Sequence, residues 1–311
     1  MISGMLFLLA ACEPTTIRAE GDHVLEWELE ADAEPIPFGF WGLNGFQTPD
    51  GLDDLKDRFG ITVFHTSTRH PNYAVTDLLP MVRDAGLSVN LRLVGDHEFY
   101  SNDDGDFDLE MWKEMMEPWR DERVQEFVDD GTLSHHMLLD DIYEFPGEPP
   151  SGDDLDEMGR VSQEILPGLR TLVRAEASDM PRPSDGAYVY VDASVNQYTA
   201  RHGDIEWYAA RQMEAGQRLG LDLVMGLNIA NGGDGSSDQP GWSDGNWAMS
   251  PEEIEHYGYV LTGVDSSTQF LNWEYDGEEE WSDGSVGSDY FDQPELVEAL
   301  SYLAERVTGG G

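Results

Sequence analysis

Three aspartates stand where predicted strands give way to loops, and they are the residues best suited to chemistry. Asp140 and Asp141 close the run 136–141, and Asp192 closes the run 188–192. Two carboxyl groups that face each other can share a hydrolysis, because one donates a proton while the other attacks or activates water. Adjacent residues of a strand point to opposite faces, so only one of Asp140 and Asp141 can face the site. The sequence therefore predicts a carboxylate site that includes Asp192.

Polar and aromatic side chains also end the other predicted strands. Alternation in the run 88–94 turns its leucines toward the helices and Arg92 inward, where a guanidinium needs a carboxylate partner. The obvious partners are Asp96, Asp140 and Asp141. A purely structural ion pair is the alternative to a role in the site. The residues predicted to bind a ligand are Trp41, Asn44, His65, Arg69, Arg92, Asp96, Glu144, Arg174, Gln197, Asn228, Trp273, Glu274 and Asp276.

Eight β-rich runs alternate with amphipathic segments after residue 36. The predicted strands are 37–42, 61–66, 88–94, 136–141, 170–174, 188–192, 223–228 and 269–275, and the predicted helices include 74–85, 109–128, 154–165 and 205–219. Pro181 and Pro183 follow the fifth strand, so helix five is predicted to be short or missing. This order predicts an α/β fold, a single (β/α)8 TIM barrel over residues 37–308, whose site lies at the carboxyl ends of the strands. A doubly wound open sheet is the alternative.

Three runs carry a resemblance to a known group of proteins. Met137-Leu-Leu-Asp-Asp141, Tyr188-Val-Tyr-Val-Asp192 and Phe270-Leu-Asn-Trp-Glu-Tyr-Asp276 resemble strand ends of the broad glycoside-hydrolase-like TIM-barrel superfamily, over roughly residues 35–308. The resemblance implies a carbohydrate partner and a hydrolase whose carboxylates lie at the carboxyl face. A non-catalytic surface barrel that binds carbohydrate or protein is the alternative.

Position along the barrel favours one clan within that superfamily. One large retaining clan carries its nucleophile at the end of strand seven, where this chain has Asn228 and no carboxylate. The α-galactosidase-like clan uses aspartates at the ends of strands four and six. By that resemblance the strand-four aspartate, Asp140 or Asp141, is the nucleophile and Asp192 the acid/base.

Other catalytic classes lack their residue patterns. The run Gly241-Trp-Ser-Asp-Gly245 matches Gly-x-Ser-x-Gly, but it lies in a loop rich in Gly, Ser and Asp and not at the strand-to-helix turn of a serine hydrolase. No His-x-His pair ends strand one as a barrel metal site requires. No Gly-rich phosphate turn follows strand one either. We therefore expect no metal and no cofactor, and we expect a monomer.

The first residues resemble a bacterial lipoprotein signal. An apolar run at residues 5–11 leads into Leu9-Ala10-Ala11-Cys12, which matches a lipobox and contains the one cysteine of the chain. The resemblance implies a signal peptide over 1–12, a lipid on Cys12, an acidic tether over 13–36 and an extracytoplasmic location on the cell envelope. Contact with the membrane is then expected through the lipid anchor alone. A cleaved signal peptide without lipid is the alternative.

The chain is strongly acidic along its whole length. It carries 63 Asp and Glu against 17 Lys and Arg, for a formal net charge of -46. A phosphate backbone would be repelled, so no nucleic-acid partner is expected. The evenly spread charge is typical of a surface adapted to salty water.

We expect the thermal midpoint (Tm) to rise when NaCl is added. Raising ionic strength from about 0.1 M to about 1 M shortens the screening length from about 10 Å to about 3 Å, which weakens repulsion among surface carboxylates. Melts followed by circular dichroism measure the effect, and KCl should match NaCl if screening is the cause. A Tm that does not change with salt would contradict the prediction.

Overall fold

The computed structural model describes residues 16–18, 24–26, 35–42, 48–241, 243, 245–264, 266–273 and 288–309. The chain divides into two compact units, Met1–Ala33 and Glu34–Gly311. In the first unit, Thr16–Arg18 pairs with Val24–Glu26 as a short antiparallel hairpin. The second unit contains the predicted barrel.

Eight parallel strands close the barrel, as the sequence predicts. They are β1 (Phe38–Phe40), β2 (Val63–Ser67), β3 (Ser88–Arg92), β4 (Leu133–Asp140), β5 (Arg170–Arg174), β6 (Ala193–Tyr198), β7 (Asp222–Leu227) and β8 (Ser267–Asn272). Each strand pairs with its neighbours in chain order, and β8 closes the ring against β1. The carboxyl ends of all eight therefore lie at one mouth.

Helices surround the barrel. They are α1 (Pro49–Phe59), α2 (Pro71–Tyr73), a π-helical turn (Ala74–Leu78), α3 (Leu79–Asp84), α4 (Leu109–Met116), α5 (Glu122–Asp129), α6 (Gly152–Ile165), α7 (Ile205–Leu219), α8 (Pro251–Leu261), α9 (Ser288–Phe291) and α10 (Pro294–Thr308). The connection from β5 to β6, residues 175–192, contains turns and no helix, so the missing fifth helix is confirmed.

Caps account for where several helices begin. Ser250 accepts from the backbone of Glu253 while the Glu253 carboxylate accepts from the Ser250 backbone, and Pro251 follows at the first helical position. This reciprocal capping satisfies two amide groups that a helix start would otherwise leave unpaired. Ser151 and Asp154 form the same arrangement on α6. Each of these two helix starts is thus determined by residues that lie within four positions of each other in the sequence.

Two predicted elements differ from the structure. The helix predicted over 109–128 is divided into α4 and α5 by a 3-10 turn, Glu117–Trp119, because Pro118 lacks the amide hydrogen that an uninterrupted helix requires. The strand predicted over 188–192 is wrong, and β6 begins at Ala193. The amides of Val189 and Tyr190 instead donate to the Asp156 carboxylate on α6. The alternating Tyr and Val residues of the run 188–191 thus have a strand-like pattern although they do not form a strand.

The barrel interior is filled in layers. An apolar layer includes Val63, Met137, Leu172 and Val224 from four different strands, with Trp41 packed against it. A separate group of buried polar residues lies among β3, β4 and β8, where Asn90 donates to Gln269 at 2.6 Å and Gln269 bonds His135 at 3.0 Å. A filled interior leaves the barrel mouth as the place for a ligand.

We expect Gly226→Ala to destabilise the barrel by about 3 kcal/mol or more, because a Cβ on Gly226 would lie 1.8 Å from the carbonyl oxygen of Leu271 in β8. Gly131→Ala is the matched control, since Gly131 has a φ of +81° and no atom within 4 Å of the added Cβ. Gly131→Ala should lower stability by only about 1 kcal/mol, because the added cost is that of holding alanine in the left-handed backbone conformation. Urea unfolding measures both, and equal losses would refute this account of Gly226.

Candidate functional site

Asp140 lies at the mouth between two arginines. It ends β4, and its Oδ2 accepts from Nη1 of Arg92 at 3.0 Å while its Oδ1 accepts from Nε of Arg174. Nη2 of Arg92 also pairs with Asp96 at 2.5 Å. The Asp140 side chain is 15% exposed, so burial alone would raise its pKa. Arg174 and Arg92 outweigh that effect and hold the pKa of Asp140 below its ordinary value. This carboxylate is therefore ionised.

Aromatic rings form a wall beside Asp140. The Trp41 ring stacks on His65 with centroids 3.8 Å apart, and it lies 5.9 Å from the Trp273 ring. The Arg174 guanidinium sits 4.4 Å from the centroid of Trp273, in cation–π range. Burial, together with the positive charges nearby, lowers the pKa of His65 to about 3, so the imidazole is neutral at ordinary pH.

Several buried polar atoms at this mouth lack a hydrogen-bond partner among the described residues. They lie on β2, β3 and β6 and just after β7 and β8, and they are both ring nitrogens of His65, Nε of Arg92, Nε2 of Gln197, Oδ1 of Asn228 and Nε1 of Trp273. An unsatisfied buried polar atom costs about 1–3 kcal/mol. Six of the twelve such atoms among the described residues lie at this mouth, where ordered water or a polar ligand could supply their partners.

The loop that follows β4 brings a second carboxyl group. Glu144 is about half exposed, and its Oε2 lies 3.6 Å from Nδ1 of His97. Burial raises the pKa of Glu144, and the charge of Asp140 raises it further. The two carboxyl groups are therefore shifted in opposite directions, which is the pattern expected of a proton donor beside an ionised partner.

Asp141 has an unusual backbone conformation. Its φ is +59°, in the left-handed region, and its Oδ1 accepts from the amide of Tyr143 at 3.0 Å. Its Oδ2 lies 3.8 Å from Nη2 of Arg174. Asp141 therefore turns away from the strand direction, and Asp140 is the strand-four aspartate that points into the barrel.

Asp192 is at the wrong end of the barrel for its predicted role. It precedes β6, and its Oδ2 accepts from the amide of Thr171 at 2.8 Å and from the Thr171 hydroxyl at 3.0 Å. Thr171 lies near the amino end of β5. The predicted pairing of Asp192 with Asp140 is therefore wrong, because the predicted sixth strand starts at residue 188 and β6 starts five residues later, at Ala193. Asp192 ties the amino end of β5 to the start of β6.

The structure brings together part of the predicted set. The residues that meet at the mouth are Trp41, His65, Arg92, Asp96, Asp140, Arg174 and Trp273, with Asp141, Glu144, Gln197 and Asn228 at the same end. Arg69 instead places its guanidinium 3.5 Å from the centroid of the Phe99 ring. Asn44, Glu274, Asp276 and Cys12 lie outside the described residues.

Sequence analysis did not anticipate a second titratable pair near the mouth. Glu176, two residues after β5, accepts from Gln212 of α7 at 3.1 Å, and its Oε1 lies 3.0 Å from Nε2 of His202. Burial raises the pKa of Glu176 to about 7 and lowers that of His202. These partners are 26 and 36 residues away along the chain, and no local pattern connects them. The pair faces α7, outside the barrel wall.

Two kinds of site are not seen in the described part of the chain. Among those residues no group of three or more His, Cys, Asp and Glu side chains is arranged to hold a metal ion. Within the same residues no helix has both the length and the apolar character needed to cross a membrane.

Comparisons with known proteins support the fold. No protein-family model matches the chain, and no curated protein matches it. Among solved structures, the chain is similar to the clostridial cellulose synthase subunit Z from Clostridioides difficile, with 11% identity, a TM-score of 0.53, and coverage of 85% of this chain and 99% of that one. It is also similar to a GH30 endoxylanase from Clostridium papyrosolvens C71, with 9% identity, a TM-score of 0.55, and coverage of 90% and 74%.

A third neighbour has a different chemistry. D-psicose 3-epimerase from Clostridium cellulolyticum H10 is 9% identical, with a TM-score of 0.51 and coverage of 88% of this chain and 98% of that one. At such low identity the likeness concerns the fold alone. The comparisons thus support the (β/α)8 barrel fold, and the activity must be argued from the chain's own side chains.

Proposed function

We propose that this protein is an extracytoplasmic glycoside hydrolase that cleaves a poly- or oligosaccharide at the carboxyl mouth of its barrel. The observation that carries the proposal is the pair of carboxyl groups with opposed pKa shifts, Asp140 lowered and Glu144 raised. Glycoside hydrolysis needs one carboxyl group that keeps a proton and one that stays ionised. Glu144 takes the role that sequence analysis gave to Asp192.

The two groups divide the reaction by charge. Glu144 in its protonated form gives that proton to the glycosidic oxygen as the bond breaks. Water then adds to the sugar carbon and returns a proton to Glu144, so that the hydrolysis is complete. Asp140 stays ionised and offers negative charge to the positive sugar carbon that forms in the transition state. Arg92 and Arg174 hold the Asp140 carboxylate in one orientation. Preorganised charge of this kind lowers the barrier without rearrangement during the reaction.

The rest of the mouth suits a sugar. The ring of Trp273, which is only partly buried, offers a stacking surface for the C–H face of a pyranose ring, while Trp41 is buried and packs against it. The unpartnered atoms of His65, Gln197 and Asn228 offer both donors and acceptors to sugar hydroxyls. Neutral His65 supplies one donor and one acceptor. A carbohydrate would thus satisfy atoms that are otherwise buried without partners.

A second candidate is a barrel that binds carbohydrate without cleaving it. The observation that favours it is the double ion pair on Asp140, since both carboxylate oxygens already accept from arginines. A carboxylate so engaged is a weaker nucleophile. The two candidates share the ligand and differ only in turnover.

Glu144→Gln should lower kcat by about 100- to 10,000-fold, because the amide cannot donate an acid proton. Glu148→Gln, an exposed change in the same loop, is the control and should leave kcat unchanged. The assay is reducing-sugar release from a polysaccharide panel in high salt. For wild type, kcat/KM should fall as pH rises through the raised pKa of Glu144, because the protonated form is the active one, and Glu144→Gln should lose this dependence.

Binding to the same panel separates the two candidates. A folded protein that binds a polysaccharide and releases no sugar would favour the non-catalytic barrel. A Glu144→Gln variant as active as wild type would remove Glu144 from the mechanism.

We also propose that Cys12 carries the lipid that holds the protein at the cell envelope. Its support is the sequence Leu9-Ala10-Ala11-Cys12 after an apolar run. Because one acyl chain holds a membrane only marginally, the anchor would need several chains on that cysteine.

Expressed in a bacterium supplied with labelled palmitate, the full chain should become labelled and enter the detergent phase of a Triton X-114 separation. Cys12→Ser should abolish both, because no other cysteine is available. Ala11→Ser, which keeps Cys12 and a small residue before it, serves as the control. An unlabelled chain that is cut near residue 12 would instead show a cleaved signal peptide without lipid.

A further inference from the structure

Tyr143 presents a fixed aromatic ring to solvent beside the site. It lies one residue before Glu144, and its side chain is 61% exposed. Its hydroxyl donates to the carbonyl of Asp179 at 2.5 Å, and its amide donates to Asp141 at 3.0 Å. A ring tied at both ends has little conformational freedom left to lose. Such a ring is a low-cost platform for a ligand.

The backbone before Tyr143 accounts for its position. Asp141 is in the left-handed conformation, which costs most side chains about 1–2 kcal/mol and which Asp tolerates better than most. The amide of Glu144 then donates to the carbonyl of Asp141 at 3.3 Å, which closes a tight turn. Residues in such sparsely populated backbone conformations cluster at active sites and ligand-binding sites. Here the turn leaves the Tyr143 ring outside the barrel, three residues from Asp140.

A chain of contacts leads from Tyr143 to a second exposed ring. Asp179, whose carbonyl holds Tyr143, pairs through its carboxylate with Nη2 of Arg211 at 3.0 Å. The guanidinium of Arg211 lies 5.5 Å from the centroid of Trp207. Trp207 is 47% exposed in the first turn of α7, the helix that follows the carboxyl end of β6. Both rings therefore belong to the mouth end of the barrel.

An ion pair of Asp179 with Arg211 lies between the two aromatic rings. The whole chain carries a net charge of -46, which disfavours an anionic ligand. An uncharged ligand with flat apolar faces and hydroxyl edges fits this surface, because its faces stack and its edges bond to the ion pair.

We propose that Tyr143 and Trp207 form an extended track that holds an uncharged polysaccharide beyond the bond to be cleaved. This inference rests on the proposed function and narrows its substrate to a polymer, since a sugar bound only at Asp140 and Glu144 would not reach Trp207. Sugar units outside the cleavage site stack first on Tyr143 and then on Trp207. Their binding keeps the reacting unit at Glu144.

The test compares a long and a short substrate of the same neutral sugar. Tyr143→Ala and Trp207→Ala should each lower kcat/KM for the polysaccharide about 3- to 10-fold, which corresponds to one lost aromatic contact. Both should leave kcat/KM for a disaccharide aryl glycoside within about twofold of wild type, which is a smaller change than the loss of one aromatic contact causes. Tyr302→Ala is the matched control, because Tyr302 is 46% exposed on α10 and belongs to neither site nor track.

A conservative variant separates the ring from its anchor. Tyr143→Phe keeps the stacking surface and loses the bond to Asp179, so it should retain more polysaccharide activity than Tyr143→Ala. Thermal melts check that all variants fold.

Four results would overturn the track. Polysaccharide activity unchanged in both alanine variants would show that no sugar reaches these rings. Equal losses on long and short substrates would make the rings part of the cleavage site or of the fold. If the wild-type protein cleaves the short substrate and shows no preference for the polymer, the track is rejected and the hydrolase is retained. If the wild-type protein neither cleaves nor binds any glycan, both the track and the hydrolase are rejected.

Discussion

The ion pairs of Asp140 with Arg92 and Arg174 are the interaction on which the mouth of this barrel depends. They join the carboxyl ends of β3, β4 and β5 in a largely buried setting. Removing Asp140 would take away the carboxylate that two largely buried guanidinium groups share, which costs more than the ion pairs contribute. The geometry of the site and the stability of the mouth are therefore tied to the same three residues.

Other properties of the mouth follow from that arrangement. The two guanidinium groups help to keep His65 neutral, and the ionised Asp140 raises the pKa of Glu144. Arg174 also lies over Trp273, so the charged group and the aromatic wall share one side chain. Burial lowers the pKa of His65 although the charge of Asp140 acts to raise it, whereas at Glu144 burial and the charge of Asp140 act in the same direction. The turn at Asp141 then directs the chain outward to Tyr143.

Much of the fold was predictable, because its signals are local. Eight hydrophobic runs and two prolines after β5 predict the barrel and its missing helix. Alternation in β3 also predicts that Arg92 points inward to a carboxylate. Strand six was misplaced because Val189 and Tyr190 bond to Asp156 on α6, a partner more than thirty residues away. With strand six misplaced, Asp192 was expected at the carboxyl mouth as the acid/base, whereas it lies at the amino end of β5.

The sequence by itself determined the layers of the barrel, the end at which polar residues gather and the acidity of the surface, since each of these depends on residue type and short-range periodicity. Tertiary structure alone decided which charged groups meet at the mouth and in which direction the pKa of each carboxyl group is shifted. The physical reason is that a pKa depends on burial and on charges brought together from distant strands, such as Arg92, Asp140 and Arg174. The contact between Glu176 and His202, and the line from Tyr143 to Trp207, are of the same long-range kind.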